Sequence, residues 1–264
     1  MEHTTDDFLA AARQIVVEAG AETRRTLHHS RVLRQKAYGD LVTDGDLLVE
    51  ERVISFLRER FPGHGFESEE REPENPQAEH VWVLDPIDGT KYYARGVPLY
   101  SVSLALKHRG ELVMGVVYWP GPDRLYSAAQ GAGATLTQGS GATFERRPIR
   151  CSNQDRLEEA SICLEIPSRH SSREDRQQAM QRMAALIESA YRVRILGVAS
   201  VGLCLTADAG FDAYLNLGAV WKECDNAAGQ VIVREAGGEF TIDGTQIVAG
   251  PASLCRKIWE TIGI

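Results

Sequence analysis

Paired cysteine motifs, a basic charge excess and long apolar runs are all missing from this 264-residue sequence. The five cysteines are odd in number and include no CxxC pair, which argues against disulfides or structural zinc and favours reduced thiols in a cytoplasm. Lys and Arg number 29 against 37 Asp and Glu, so a net charge of −8 disfavours binding to nucleic acid or a membrane surface. No apolar stretch approaches the ~18 residues of a membrane span. The acidic start MEHTTDD predicts no signal peptide.

Several catalytic signatures are absent as well. The seven histidines are scattered and form no HExxH zinc motif. No Walker A sequence occurs, and the lone GxG at 131–133 is interpreted as a turn. The segment GVASVG around Ser200 is not a GxSxG nucleophile elbow. These absences argue against a zinc protease, a P-loop enzyme and an α/β-hydrolase.

Hydrophobic periodicity predicts an N-terminal α+β half. Thr4 and Asp7 have the spacing of a capping box and begin a first helix, and a second helix follows GDLVTDGD and ends at 61–63. VWVLD is predicted to be a buried strand. Turn signals then predict a β-meander, and the glycine-rich segment 131–142 is predicted to be a loop. The meander strands are expected at 99–107, 111–119 and 124–129.

The second half changes to alternating strands and helices, which indicates an α/β layer. Helices are predicted at 173–189, 199–208, 225–236 and 252–261, and strands at 191–195 and 211–216. The segment 150–155 is interpreted as the seam between residues 1–150 and 151–264. Both halves are expected to form one compact unit, because a chain of this length can bury a large core.

Acidic residues with short neighbours cluster in four places: GDLVTDGD at 39–46, ESEE at 67–70, DPIDGT at 85–90 and WKECDNAAG at 221–229. In DPIDGT, the carboxylates of Asp85 and Asp88 and the carbonyl of Ile87 can converge on one hard cation. Gly89 and Thr90 can offer backbone N–H groups to an anion. A turn capped by aspartate is the structural alternative for this motif.

The other clusters have structural alternatives too. ESEE can be a solvated face, Asp225 an N-cap, and Thr43 with Asp46 a capping box. The combination favours chemistry, because carboxylates ~4 Å apart repel by ~4 kcal/mol at an effective dielectric of ~20. A shared site must therefore take up protons or hold metal, and oxygen-only ligands select magnesium or manganese over zinc. The acids that would share it are Glu69, Asp85, Asp88 and Asp225.

ESEE, DPIDGT and CDNAAG, in this order, resemble the motifs of the inositol monophosphatase family of magnesium-dependent, lithium-sensitive sugar phosphatases. GDLVTDGD is similar to the family's upstream motif and AGGEF to the segment after its last acid, so the resemblance spans essentially the whole chain. It implies a layered α/β/α/β/α sandwich, usually a homodimer. It also implies two or three magnesium ions, with manganese as a substitute, and hydrolysis of a small phosphomonoester such as inositol 1-phosphate.

The resemblance also implies roles for individual residues. Asp46 and Thr90 would activate the attacking water, and Glu70 would contact a water on the metal. Gly89 and Thr90 would contact the phosphate. The metal ligands would be Glu69, Asp85, the Ile87 carbonyl, Asp88 and Asp225. The substrate contacts would be Gly197, Val198, Ala199 and Asn216.

This chain departs from the family pattern at three positions. Cys224 stands where many relatives have Trp, Val198 where inositol phosphatases usually have a hydroxyl residue, and Asn216 where they usually have an acid that binds inositol hydroxyls. Alternative substrates for the same chemistry are 3′-phosphoadenosine 5′-phosphate, histidinol phosphate and fructose 1,6-bisphosphate. Lys91 after DGT also occurs in relatives that act on the first two. A non-catalytic metal- or ligand-binding protein on the same fold is the alternative of another class.

Overall fold

The computed structural model describes residues 3–36, 40–139, 145–218 and 222–263. Its helices are α1 (Thr5–Thr26), α2 (Asp44–Arg60), α3 (Thr90–Tyr93), α4 (Arg173–Ser189), α5 (Ala199–Ala207), α6 (Glu223–Glu235) and α7 (Ala252–Ile262). Its first strands are β1 (Val32–Gln35), β2 (Leu41–Thr43), β3 (Gly65–Ser68), β4 (His80–Asp88), β5 (Ser101–His108), β6 (Glu111–Trp119) and β7 (Arg124–Ala129). They are followed by β8 (Gly133–Gln138), β9 (Glu145–Ile149), β10 (Ser161–Glu165), β11 (Arg192–Arg194), β12 (Ala213–Asn216), β13 (Glu239–Asp243) and β14 (Gln246–Gly250).

The strands form two large sheets and one hairpin. The first sheet has seven strands in the order β3-β4-β5-β6-β7-β8-β9, antiparallel except for the β3–β4 pair. The second has five strands in the order β11-β10-β12-β14-β13, and its first three strands are parallel. The hairpin pairs β1 with β2.

Helices cover these sheets in alternate layers. Helices α1 and α2 pack on one face of the seven-stranded sheet, and α6 packs on its other face beside α5. The five-stranded sheet lies on the far side of α5 and α6, and α4 and α7 cover its outer face. Three apolar clusters fill the spaces between layers. The predicted layered α/β/α/β/α sandwich is therefore confirmed.

The first helix begins where the sequence predicts, and α2 begins at Asp44, inside the motif GDLVTDGD that it was expected to follow. The hydroxyl of Thr4 accepts from the N–H of Asp7, and the Asp7 carboxylate accepts from the N–H of Thr4. Thr43 and Asp46 repeat this capping box at the start of α2. The helix starts were predictable because capping is local and depends on residues three apart.

The predicted loop at 131–142 is wrong in part, because β8 occupies its centre. Glycines at both ends suggested a turn, yet the side chains of Ala134 and Leu136 are buried while Thr135 between them is partly exposed. This alternation of period two pairs the segment with β7 on one side and β9 on the other. Tertiary pairing thus overrides the glycine signal.

The two large sheets lie on either side of the predicted seam at 150–155, and the division into two halves stays a prediction. Gly39 and Trp221 of the acidic motifs lie outside the described residues. All five cysteines are free thiols. Among the described residues, no helix is both long enough and apolar enough to cross a membrane.

A stack of histidine rings closes one end of the seven-stranded sheet. The ring centroids of His64 and His80 are 4.8 Å apart, and those of His80 and His108 are 4.6 Å apart. The indole N–H of Trp82 donates to Nδ1 of His64 at 3.1 Å. Burial, followed by the neighbouring His80, lowers the pKa of His64 to about 4. Burial also lowers the pKa of His80.

We expect this stack to destabilise the fold on mild acidification. A histidine whose folded pKa is depressed stabilises the protein above its unfolded pKa of ~6.5, and that contribution is lost as the pH falls toward the folded value. The variant His64→Gln should lose about 1 kcal/mol less stability between pH 7 and pH 5 than the wild type, a figure that allows for the half-exposed ring. Urea unfolding at the two pH values measures the difference.

The matched control is His29→Gln, which removes an exposed histidine outside the stack. It should retain the pH dependence of the wild type. If His64→Gln retains it too, the histidine stack does not govern acid stability.

Candidate active site

The strand that carries the DPIDGT motif has one extra residue relative to its neighbour. Asp85 lies opposite Ser103 and Asp88 lies opposite Ser101, so three steps along β4 match two steps along β5. A bulge of this kind re-aims side chains that would otherwise alternate between the two faces of the sheet. Both aspartates accordingly line one cavity.

The turn after the bulge is fixed by hydrogen bonds within the motif. Oδ1 of Asp85 accepts from the N–H of Ile87 at 3.0 Å, and the hydroxyl of Thr90 donates to the Ile87 carbonyl at 2.8 Å. Gly89 has a φ of 98°, and a Cβ at this position would lie 2.9 Å from the carbonyl oxygen of Leu99. Only glycine combines this conformation with this close approach.

Thr90 also contacts the acid with which it was predicted to work. Its hydroxyl donates to Oδ1 of Asp46 at 3.2 Å. Oδ2 of Asp46 accepts from the N–H of Thr43 at 2.7 Å and from its hydroxyl at 2.5 Å. The capping and functional interpretations of Asp46 are compatible, because each uses a different oxygen. Burial raises the pKa of Asp46 to about 6, against the hydrogen bonds from Thr43.

The two glutamates that follow β3 meet two lysines. The N–H of Glu69 donates to the carbonyl of Leu84 at 3.2 Å, which holds this residue beside β4. Oε1 of Glu69 accepts from Nζ of Lys222 at 2.9 Å and from Nζ of Lys36 at 3.2 Å. Lys36 also donates to Oε1 of Glu70 at 2.6 Å. Both glutamates are therefore ion-paired and largely buried, so these two residues of ESEE do not form a solvated face.

These lysines are not among the residues predicted from the sequence. Lys222 directly precedes α6, and its ammonium also lies 3.2 Å from Oδ2 of Asp40. The other oxygen of Asp40 lies 3.3 Å from Nζ of Lys91. Burial opposes the charge of Lys222, but the charges of Glu69 and Asp225 raise its pKa. Its position inside the last acidic motif was the one available signal.

Asp225 lies in the first turn of α6 but is not its N-cap. Lys222 holds the N-cap position, so Asp225 is the third residue of the helix and the N-cap interpretation is wrong. The thiol of Cys224 donates to Oδ1 of Asp225 at 3.2 Å. Ligand atoms of Glu69, Cys224 and Asp225 lie within 4.8 Å of one another. The fold thus brings Glu69 and Asp225 together from segments far apart in the chain.

Asp88 is oriented by a residue of the second half. Its Oδ2 accepts from the N–H of Ser200 at 2.7 Å and from the Ser200 hydroxyl at 2.5 Å. The hydroxyl of Ser101 lies 2.5 Å from that of Ser200. Both serines are fully buried. Ser200 is a second residue without a sequence motif, and it holds one oxygen of Asp88 while the other can face a cation.

The pKa values of the three aspartates in the cluster are raised. Burial, followed by the charge of Glu69, raises the pKa of Asp85 well above its ordinary value. Burial and Asp225 do the same for Asp88. Burial and Glu69 also raise the pKa of Asp225 to about 6. Glu69 is the exception, because Lys222 lowers its pKa although burial opposes ionisation. Such a cluster binds either protons or cations.

Three of the four predicted substrate residues border a cavity, and one does not. Gly197 has a φ of 72°, and its N–H donates to Oε1 of Glu165 at 3.0 Å. The side chain of Val198 is fully buried, and its Cγ2 lies 3.0 Å from where a Cβ on Gly89 would stand. The predicted residues that border the cavity are Gly197, Ala199 and Asn216.

Two adjoining cavities make up the cleft. The smaller, of ≈ 160 Å³, lies over the acidic cluster. The larger, of ≈ 520 Å³, extends from Asp88 and Asp225 toward the ends of β10 and β12. The smaller cavity is lined by Asp40, Leu41, Glu69, Asp85, Ile87, Asp88, Gly89, Thr90, Lys91, Gly197, Lys222 and Asp225.

The donor set of the smaller cavity fits a hard divalent cation. The lining includes several carboxylates and Ile87, whose backbone carbonyl is a further oxygen ligand. Magnesium and manganese prefer oxygen ligands of this kind. The raised pKa values of the buried aspartates support the same conclusion, because a cation would compensate charges that water cannot reach. Such a site is typical of enzymes that use a divalent cation, rather than of a purely structural acid cluster.

Comparisons with known proteins agree with this class. The sequence model of the inositol monophosphatase family matches residues 4–254. Inositol monophosphatase 2 of Homo sapiens is 34% identical over 263 residues, which cover 96% of this chain and 85% of that protein. Fructose-1,6-bisphosphatase/inositol-1-monophosphatase of Aquifex aeolicus is 32% identical over 227 residues, which cover 84% and 81%.

The fold comparison gives the same result. The crystal structure of extragenic suppressor protein suhB from Bartonella henselae matches with a TM-score of 0.86 and 26% identity, and the match covers 97% of this chain and 99% of that one. The chain therefore belongs to the inositol monophosphatase family, whose members are metal-dependent phosphomonoesterases. It is accordingly a phosphoric monoester hydrolase that acts on small phosphorylated substrates.

We expect Asp88→Asn to abolish catalysis without harming the metal-free fold. Asparagine keeps an acceptor for Ser200 and mimics the protonated acid that burial favours. The melting temperature in EDTA should therefore be equal to or higher than that of the wild type. Loss of one charged group from the cluster should lower kcat by at least ~1000-fold. Thermal melts with and without magnesium, together with phosphate release, measure both effects.

Asp155→Asn is the matched control, since Asp155 is exposed and outside the cleft. It should leave kcat and the stabilisation by magnesium unchanged. An active Asp88→Asn enzyme would contradict the assignment of this carboxylate to the metal site.

Proposed function

We propose that this protein hydrolyses the phosphomonoester of a small hydroxyl-bearing molecule in a magnesium-dependent reaction, with inositol 1-phosphate as the first substrate to test. The observation that carries the proposal is the content of one cavity. Five carboxylate residues, Ile87 and Thr90 line it, and the Thr90 hydroxyl lies 3.2 Å from Oδ1 of Asp46. If DPIDGT were only a turn capped by aspartate, acids from other segments of the chain would not be expected in the same cavity.

The residues proposed to hold two magnesium ions are Glu69, Asp85, Ile87 through its carbonyl, Asp88 and Asp225, and a third, weaker ion is proposed near Glu69. Bound magnesium would supply positive charge to the phosphate oxygens and acidify a water molecule. Manganese has the same preference for oxygen and is the expected substitute. Glu70, which lies beside Glu69 in the same ion-paired group, is proposed to hold a water molecule next to it.

Thr90 and Asp46 are proposed to remove a proton from the attacking water. The Thr90 hydroxyl lies 2.8 Å from the Ile87 carbonyl and 3.2 Å from Asp46 Oδ1. It can accept a proton from water as its own proton passes to the Asp46 carboxylate. The pKa of Asp46, raised to about 6 by burial, suits a base that works near neutral pH. The backbone N–H groups of Gly89 and Thr90 are proposed to contact the phosphate.

The identity of the organic group is the open part of the proposal. The Aquifex aeolicus relative carries the name of a fructose-1,6-bisphosphatase as well as that of an inositol-1-monophosphatase, which supports fructose 1,6-bisphosphate as a second candidate. Phosphate release should therefore be measured with magnesium on a panel that also includes 3′-phosphoadenosine 5′-phosphate, histidinol phosphate and p-nitrophenyl phosphate. A non-catalytic binding protein would release phosphate from none of them.

We expect Thr90→Ala to lower kcat by about 100- to 10,000-fold, the range for loss of acid–base assistance. The affinity for magnesium should change little, because the hydroxyl bonds to Asp46 and to the Ile87 carbonyl without being a proposed metal ligand. Steady-state kinetics and magnesium titration calorimetry separate the two effects.

Thr90→Ser is the control that retains the hydroxyl, and it should keep most of the activity. If Thr90→Ala mainly weakens magnesium binding, Thr90 acts in the metal site and not on the water.

Lithium inhibition is expected from the family resemblance. Lithium would compete for the magnesium position formed by Asp85, Asp88 and Asp225, after substrate has entered, so inhibition should be uncompetitive with respect to substrate. Initial rates at several lithium and substrate concentrations test this. Indifference at tens of millimolar lithium would contradict the prediction and leave the phosphatase assignment unchanged.

A homodimer and a cytoplasmic location stay predictions. The homodimer follows from the family resemblance, and the cytoplasmic location follows from the cysteine usage and the predicted lack of a signal peptide. Sedimentation velocity at micromolar concentration measures the first, and fractionation of cells that express the protein measures the second.

A further inference from the structure

The larger cavity ends at a carboxyl group that the family resemblance does not assign. Glu165 is the last residue of β10, and in the parallel pairing with β12 it lies directly opposite Asn216. Both side chains line the larger cavity, which opens onto Asp88 and Asp225. Ligands of parallel sheets bind outside the carboxyl ends of the strands, which is where this pair stands.

Asn216 alone provides little acceptor capacity for a substrate hydroxyl. Its Oδ1 accepts from the N–H of Gly218 at 2.6 Å, so the carbonyl of this side chain is engaged by the turn that follows β12. The amide nitrogen can donate, but a hydroxyl that receives this bond still has its own proton to donate. The residue opposite Asn216 in the parallel pairing is Glu165, whose carboxyl group can accept that proton.

Glu165 also holds the loop that borders the other side of this cavity. Its Oε1 accepts from the N–H of Gly197 at 3.0 Å, and the N–H of Val198 also points to this carboxyl group. The hydroxyl of Tyr92 donates to the carbonyl of Leu196 at 2.7 Å. The loop is thus fixed between Glu165 and a tyrosine two residues after Thr90.

We propose that Glu165 selects hydroxyl-bearing substrates: its carboxyl group accepts a hydrogen bond from a hydroxyl of a polyol phosphate, beside the amide of Asn216, while it holds the Gly197 loop in place. This inference rests on the proposed phosphatase function. It assigns to Glu165 the carboxyl acceptor that relatives place at the position of Asn216. Burial raises the pKa of Glu165 to about 7, so the charged form dominates above that pH. The substrate class is therefore a polyol or sugar phosphate rather than a phosphate ester without hydroxyl groups.

The test compares inositol 1-phosphate with p-nitrophenyl phosphate, which has no hydroxyl to offer. In Glu165→Gln the side-chain oxygen can still accept from Gly197, but the charge is lost. We expect kcat/KM for inositol 1-phosphate to fall about 5- to 20-fold, the loss of charge assistance in one hydrogen bond, and that for p-nitrophenyl phosphate to change less than about 2-fold. Magnesium affinity by calorimetry should be unchanged.

Two further variants are compared: Glu165→Ala tests the loop contact, and Glu158→Gln is the control. The alanine variant loses the loop contact as well, so it should lower kcat/KM for both substrates, and more strongly for inositol 1-phosphate. Glu158 is exposed and outside the cleft, and its variant should match the wild type.

Four outcomes would contradict either the role of Glu165 or the proposed function. An equal fall for both substrates in Glu165→Gln, or no fall for either, would overturn the proposal for Glu165. A wild type that hydrolyses p-nitrophenyl phosphate but shows no preference for inositol 1-phosphate would overturn it as well, and the phosphatase function would stand. A wild type that releases phosphate from neither substrate with magnesium would instead contradict the proposed function.

Discussion

The crowding of buried negative charge is the constraint on which this structure depends. Asp85 and Asp88 are buried beside Asp225 and Glu69, where water cannot compensate their charges. The ammonium groups of two lysines form ion pairs with Glu69 and compensate its negative charge. Within the described part of the chain, the aspartates of the cluster have no such ion pair, and the pKa of Asp225 is raised. Burying several carboxylates together lowers the stability of the fold, and binding of cations offsets that loss. A buried cluster of this kind is therefore best explained by chemistry that needs concentrated positive charge.

The acids lie close together because the fold places the ends of two strands beside the start of one helix. Glu69 follows the short parallel strand β3, the aspartates of DPIDGT stand at the bulged end of β4, and Asp225 lies in the first turn of α6. Helix α6 packs across β4, β5 and β6, so its N-terminus is held over the strand ends. Helix α5 packs beside α6, and its first turn binds Asp88. The acidic cluster and the Gly197 loop are thus parts of one packing arrangement.

Much of this could be predicted from the sequence where the signal is local. The helix at 173–189 was predicted with its observed bounds, because caps and apolar periodicity are encoded within a few residues. The strand β10 was not predicted, because a short buried run at a sheet centre has no alternation, and β8 was hidden by its flanking glycines. The acids of the site belong to recognisable motifs. Lys36, Ser200 and Glu165 do not, because they reach the site only through tertiary packing.

One departure from the family pattern, Val198, has a structural counterpart at the start of α5. Val198 lacks the usual hydroxyl, and the N-cap position of α5 that it holds has no side-chain hydrogen bond. Two carboxylates from other segments serve this helix start instead, Asp88 at Ser200 and Glu165 at Gly197. Negative groups at a helix N-terminus are favourable because unpaired N–H groups point toward them. The start of α5 therefore orients Asp88, a proposed metal ligand, and Glu165, the residue proposed to select substrate. The two cavities are linked in this way although Val198 has no hydroxyl group.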